Sequence, residues 1–255
     1  MSGSEISHWE NFWSRNRNIK DVYPTSRCLV DNLIAVTDFN NKKVLEVGGG
    51  SGRDSIRIKT LGGDVYVLDY AESSLKTIKE QIVEEDITLK LIKGDAFKLP
   101  FKDNSFDIVF HQGLIEHFRN PEIILRENVR VLKSGGLILV DAPQRYHLYT
   151  LLKHILIFFN RWFAGWETEY SIKELENMLK NEGVKKIISV YGDWMSPSIL
   201  YRILREIFFK IGIKLPLYPK GIWFIKGMRK WIKEKIKRHR LAFYTFNNIG
   251  IIGQK

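Results

Sequence analysis

Val44-Leu45-Glu46-Val47-Gly48-Gly49-Gly50-Ser51-Gly52 is the stretch on which the fold turns. Its first four residues read as a short buried strand, and the glycines end that strand in a tight turn. A helix can follow from Ser51 to about Leu61, where Gly62-Gly63 stops it. Further out, Val65-Tyr66-Val67-Leu68-Asp69 is a second strand. Ser74 to Glu85 carries Leu75, Ile78 and Ile82 at helical spacing. Thr88 to Ile92 and Phe106 to Phe110 are the next two strands, with Pro100 and Asp103-Asn104-Ser105 marking a turn between them. Pro121 sits near the first position of a helix whose face is Ile124, Leu125, Asn128 and Val131. Gly135-Gly136 is expected to end that helix, and Leu137-Ile138-Leu139-Val140 is a fifth strand. Strands alternating with helices at this pace predict an α/β fold, a doubly wound and mostly parallel sheet covered on both faces.

The flanks are read from the same signals. Residues 1–40 predict two helices, the first with Trp9, Phe12 and Trp13 on one face. Ser171-Ile172-Lys173-Glu174 is a capping box that opens a helix to about Asn181, with Gly183 closing it. Ile187 to Tyr191 is a sixth strand, and Asn248 to Gly253 is a short last one. The expected organisation is one domain over 1–255. It has N-terminal helices over 1–40, a core over 41–194, a basic apolar cap over 195–240 and the last strand within 241–255. Apolar residues at 44% and charged residues at 27% exclude wholesale disorder and fibrous repeats. The single cysteine, Cys28, excludes an intrachain disulfide and a cysteine-based zinc cluster, and points to packing in a reducing compartment. Residues 1–10 show no basic flank followed by an apolar run, so no secretory signal is expected.

The glycine loop carries the first chemistry. Glu46-x-Gly48-x-Gly50-x-Gly52 leaves a strand and opens a helix, where backbone N–H groups are free to meet a ligand. The spacing lacks the two-residue gap of the dinucleotide fingerprint. Glu46 places a carboxylate where a cationic ligand fits better than a pyrophosphate. Asp69, 23 residues after Glu46 at the end of the second strand, can take both hydroxyls of a ribose.

At these residues the sequence resembles the class I S-adenosylmethionine-dependent methyltransferases, in their small-molecule branch. Val44 to Gly52 is similar to that family's first motif, and Leu68-Asp69 to its ribose-binding acid with Tyr70 following. Gly94-Asp95-Ala96 falls where the family places the Asp that meets the adenine amino group, with Phe97 able to flank the ring. Leu99-Pro100-Phe101, Asn104 to Val109 and Leu114-Ile115-Glu116-His117-Phe118 resemble the block around the fourth strand, where Gln112 also lies. Arg130 to Gly136 resembles the turn into the fifth strand, departing only at Ser134, where the family usually has proline. The likeness is close over Lys43 to Asp141 and loose as far as Tyr191. It implies S-adenosylmethionine as cofactor and a seven-stranded sheet whose last strand runs antiparallel. Glu46, Gly48, Gly50, Gly52, Asp69, Tyr70, Asp95, Ala96, Phe97 and Gln112 are then the expected cofactor contacts. Methyl transfer from a sulfonium is an in-line displacement, so the main task is to hold donor and acceptor in register, and no metal is expected.

The acceptor is approached by elimination. Phe110-His111-Gln112-Gly113 stands where enzymes acting on exocyclic base amines carry an Asp/Asn-Pro-Pro-aromatic run, and Cys28 precedes the glycine loop, far from a nucleophile's place. His111 and His117 lie just beyond the fourth strand and are the candidate proton acceptors for a hydroxyl acceptor, His117 ahead. His147 is a third candidate. Glu116 can orient His117 or cap its loop, and Glu167 and Tyr170 either reach the acceptor or pack.

Charge adds one more feature. Between Met195 and Arg240 thirteen Lys and Arg face only Glu206 and Glu234, so this segment holds the protein's whole excess of +11. Its cations alternate with Ile203, Leu204, Ile207, Phe208, Phe209, Trp223, Phe224, Trp231 and Ile232, and Leu148 to Phe163 is apolar but too short to span a bilayer. Mixed this way, the segment suits a solvated cap or contact with anionic lipid, with nucleic acid as the lesser reading. The sequence thus leads to methyl transfer onto a small lipid, quinone-like or lipid-linked acceptor by a cytoplasmic protein able to rest on a membrane. An RNA methyltransferase and a non-catalytic nucleotide-binding protein are the competing readings.

Overall fold

The computed structural model describes residues 6–14, 28–159, 167–194, 199–216, 227–228, 231–232, 235 and 244–255. Seven strands form one sheet: β1 (Lys43–Val47), β2 (Asp64–Asp69), β3 (Lys90–Lys93), β4 (Phe106–Gln112), β5 (Leu132–Pro143), β6 (Lys186–Asp193) and β7 (Asn248–Gln254). Their order is β3-β2-β1-β4-β5-β7-β6. β1 to β5 pair in parallel, whereas β7 runs antiparallel between β5 and β6, as the resemblance implied.

Successive residues of each strand face opposite ways, so the apolar strands feed two cores. Leu45, Val109, Ile138 and Ile251 pack on one face with Ile124, Leu125 and Leu175 from the helices α5 (Pro121–Val131) and α7 (Ile172–Asn181). Val44, Ile108, Leu139 and Ile252 pack on the other with Leu33, Ile58 and Ile78 from α2 (Cys28–Ile34), α3 (Arg53–Thr60) and α4 (Glu72–Glu84). Glu46 shares the facing of Val44, which points its carboxyl at α3. The capping box is as read: Ser171 Oγ accepts from Glu174 N, and Ser171 N donates to Glu174 Oε2 at 2.8 Å.

Several boundaries differ from the sequence reading; the fourth strand, for one, runs on to Gln112 and takes in His111. Gly135-Gly136 does not end a helix. α5 stops at Val131, Leu132 is already extended, and both glycines lie inside β5 where the register with β4 shifts between Phe106 and Ile108. Gly135 takes φ +77°, and a Cβ there would meet nothing within 4 Å, which suits a bulge at the sheet rim. The third strand begins at Lys90 rather than Thr88. Further helices among the described residues include α1 (Ile6–Ser14), α6 (Leu148–Phe158) and α8 (Ile199–Lys210). Residues 160–163 of the apolar run, and Trp223 and Phe224 of the basic segment, lie outside the described residues.

Candidate functional site

The carboxyl ends of β1, β2 and β4 meet at a cleft of about 1080 Å³, counted out to its open mouth. Its floor is the glycine loop. Gly50 sits at φ +53° and donates its N–H to Asp69 Oδ2 at 2.9 Å, so the loop is tied to the tip of β2. At Gly49 a Cβ would stand 2.1 Å from Val67 Cγ1, so only glycine lets the loop lie this close to the sheet. Asp69 also accepts Ala71 N at 2.9 Å and Ser74 Oγ at 2.8 Å. Burial raises its pKa, and these donors work against the rise. Ser74 has one hydroxyl proton and stands 2.8 Å from both Asp69 Oδ2 and Gly50 O. When that proton turns to Gly50 O, an Asp69 lone pair is left for a ribose hydroxyl.

Glu46 lies beneath the loop, 5% exposed, and accepts from Ser55 Oγ. Burial, with the charge of Asp54 beside it, pushes its carboxyl up to about 8. Arg53 bridges Asp54 (3.1 Å) and Gln112 Oε1 (3.2 Å), and Gln112 Nε2 in turn approaches Asp141 Oδ1 at 3.5 Å. Asp141 accepts Tyr191 Oη at 2.8 Å, and burial raises it to about 7.

The walls bring most of the expected contacts together. Glu46, Gly48, Gly50, Asp69, Tyr70, Asp95, Ala96, Gln112 and His117 all line the cleft. Gly52 stands one step behind, capping α3 at φ +67°. Phe97 does not face the cleft; its N–H is taken by Asp95 Oδ1 at 2.9 Å and its ring meets Phe118, which does line the wall. The opposite wall holds Trp9 and Trp13 from α1, which the sequence placed on a common face without connecting them to the loop. Ser73 N donates to Glu10 Oε1 at 3.1 Å and fixes α1 against α4. Trp9 stands edge-on to His117 with ring centroids 4.6 Å apart.

The other candidates are placed elsewhere. His111 is fully buried on β4 and outside the cleft, neither ring nitrogen has a partner among the described residues, and burial lowers its pKa to about 3. It is neutral at physiological pH and does not line the cleft. His147 is half-buried, with its pKa lowered by burial. Glu116 packs behind Gly113, and burial with the nearby Glu167 charge holds its carboxyl well above the usual range. Glu167 pairs with the buried Lys153 at 2.7 Å, and Lys153 also meets Glu169. Tyr170 donates to Ile115 O at 3.3 Å within the core. Neither Glu167 nor Tyr170 lines the cleft. Cys28 begins α2, its sulfur accepting from Asn32 at 3.4 Å, away from the cleft.

This sheet order, with its antiparallel seventh strand and glycine loop under the cleft, defines the class I S-adenosylmethionine-dependent methyltransferase fold. Residues 45–140 match the family model described as methyltransferase domain. The chain is 32% identical over 139 residues to a demethylmenaquinone methyltransferase of Listeria welshimeri, covering 51% of this chain and 58% of that one. It is 29% identical over 190 residues to the Bacillus mycoides enzyme of the same name, 66% and 74% of the two chains. The chain thus matches less than two thirds of the length of the Listeria relative. A SAM-dependent methyltransferase from Thermotoga maritima superposes with a TM-score of 0.66 at 17% identity, over 98% of this chain and 100% of its own. The cyclase SpnF does so at 0.57 and 17%, over 89% and 79%. At such identities the likeness concerns the fold.

Proposed function

We propose that this chain transfers a methyl group from S-adenosylmethionine to a small, quinone-like aromatic acceptor. Residues 195–240 would form an insert between β6 and β7 of a single domain. The observation that carries the reading is the glycine loop tied to Asp69 directly beneath a cleft whose far wall is Trp9, His117 and Phe118. The relatives named demethylmenaquinone methyltransferases support the acceptor class.

The residues present fit the donor. Asp69 would take a ribose hydroxyl and Asp95 the adenine amino group, with Tyr70 and Ala96 against the rings and Phe97 bracing that wall through Phe118. Glu46 and Gln112 would face the methionine end, over the backbone of Gly48, Gly50 and Gly52. When bound, the donor supplies an electrophilic methyl group on a sulfonium. Trp9, Trp13 and Phe118 exclude water from the line of transfer. The acceptor loses one proton whether oxygen or ring carbon is methylated, and His117, on the cleft wall, would receive it. His111, buried and outside the cleft lining, is not proposed for the role.

The test supplies purified protein with labelled donor and a short-chain demethylated naphthoquinol. Labelled, methylated product that declines at least about tenfold in His117→Gln supports the reading. Donor binding with no product from any phenolic or quinol acceptor refutes transfer, and leaves the fold in the service of another reaction.

A further inference from the structure

We infer that the described part of the insert, residues 199–216, docks the chain on an anionic phospholipid bilayer, with the cleft's end of the sheet turned to the lipid. Five large apolar side chains are exposed within ten residues: Leu204, Ile207, Phe209, Ile211 and Ile213. Ile207, Phe209 and Ile211 are 53%, 60% and 65% exposed. Leu204, Ile207 and Ile211 follow one another at helical spacing and form a stripe along α8 and its end. Arg202, Arg205, Lys210 and Lys214 flank them in sequence, opposed there only by Glu206. An apolar stripe flanked by cations is the arrangement that lies in the headgroup boundary, with the hydrocarbon taking the side chains and anionic lipid the charges. No helix among the described residues is long and apolar enough to cross a membrane, so the contact is interfacial.

Topology adds independent support. β7 begins at Asn248, which pairs with Pro143 at the end of β5 and with Asp193 at the end of β6. Gln112, at the end of β4, pairs with Asp141 near the end of β5 and lines the cleft. The chain therefore leaves β5 and β6 at the edge of the sheet where the cleft lies. α6, which follows β5 there, ends on Phe158, 84% exposed, and Phe159. Both segments thus follow strands that end at the cleft's edge of the sheet, and both carry exposed apolar groups. Aliphatic Leu204, Ile207, Ile211 and Ile213 favour lipid over nucleic acid, whose single strands are held by flat aromatic rings between cations.

Docking stands apart from methyl transfer, because vesicle binding needs no turnover. The full chain is sedimented with vesicles of phosphatidylcholine, alone or mixed with phosphatidylglycerol, and poly(uridylate) is offered as competitor. The wild type should bind the mixed vesicles and release at high salt, and not bind the neutral ones. Ile207→Ser/Phe209→Ser/Ile211→Ser should bind at least about tenfold more weakly while its S-adenosylmethionine binding is unchanged. Arg205→Gln/Lys210→Gln/Lys214→Gln tests the charge separately, should the apolar variant fail to fold, and should also lose vesicle binding. Wild-type binding to neither vesicle, full binding by the charge variant, unaltered binding by a folded apolar variant, or displacement by the polynucleotide each overturns the inference.

Discussion

Replacing Glu46 with Gln should uncouple donor binding from proton release. Glu46 is buried under the glycine loop with a pKa of about 8, so at pH 7 only about one molecule in ten carries the charge. A cation lodged in the cleft favours the ionised carboxylate, and a neighbouring opposite charge lowers a carboxyl pKa by about 1–3 units. With a fall of about two units, donor binding at pH 7 expels about 0.8 proton, and affinity rises close to tenfold from pH 7 to pH 9. Titration calorimetry in buffers of different ionisation enthalpy reads the proton count directly. The donor's own amine titrates in this range in both proteins, so the quantity of interest is the difference between wild type and Glu46→Gln. The variant should release about 0.8 fewer protons at pH 7 and lose the steeper part of the pH dependence. Equal proton release by the two proteins would refute the placing of Glu46 against a cationic ligand.

Other perturbations have equally definite expectations. Asp69→Ala removes the acceptor that ties Gly50, Ala71 and Ser74, and should cost about 1–3 kcal/mol in urea unfolding and abolish measurable donor binding. Gly49→Ala forces a Cβ onto Val67 and should cost about 1–3 kcal/mol, part of which Val67→Ala in the same chain restores. Lys153→Met leaves Glu167 and Glu169 buried without their cation, and thermal unfolding at neutral pH should show a loss of about 3–5 kcal/mol. Stability should also decline as pH rises. Glu46 and Asp141 hold protons in the folded chain up to about 8 and about 7, but release them near 4.5 and 3.8 when unfolded. Folding therefore takes up protons in that window, and Tm should fall between pH 5 and pH 8, less steeply in Glu46→Gln.

The sheet was legible because each strand is a short aliphatic run ended by glycine, proline or a polar turn, and each helix has a face. The glycine loop and Asp69 were expected from their places at strand ends, Asp95 and Gln112 from the family resemblance, and the fold brings all of them to one cleft. The misplaced boundary at Gly135-Gly136 shows the limit of that signal. Two glycines mark a break, but only strand pairing with β4 distinguishes the end of a helix from a bulge in β5. Trp9 and Trp13 were visible as an apolar pair one helical turn apart, yet their arrival over the cleft depends on a hydrogen bond from Ser73 to Glu10 across 63 residues. The Lys153 cluster was equally hidden, since Lys153 broke an apolar run and its partners lie fourteen and more residues on. His111 and His117 were both candidates in the sequence, His117 ahead. Strand alternation buries the first on β4, and the turn at Ile115–His117 brings the second to the cleft wall.

Methyl transfer to an apolar aromatic acceptor stands or falls on one labelling experiment. Purified chain and methyl-tritiated S-adenosylmethionine are incubated with an extract of the source cells, and the label is partitioned into organic, aqueous and nuclease-sensitive fractions. Label is expected in the organic phase, carried by a quinol-like product and absent with Asp69→Ala. Label released by nuclease, or no label in any fraction despite measured donor binding, would contradict that transfer.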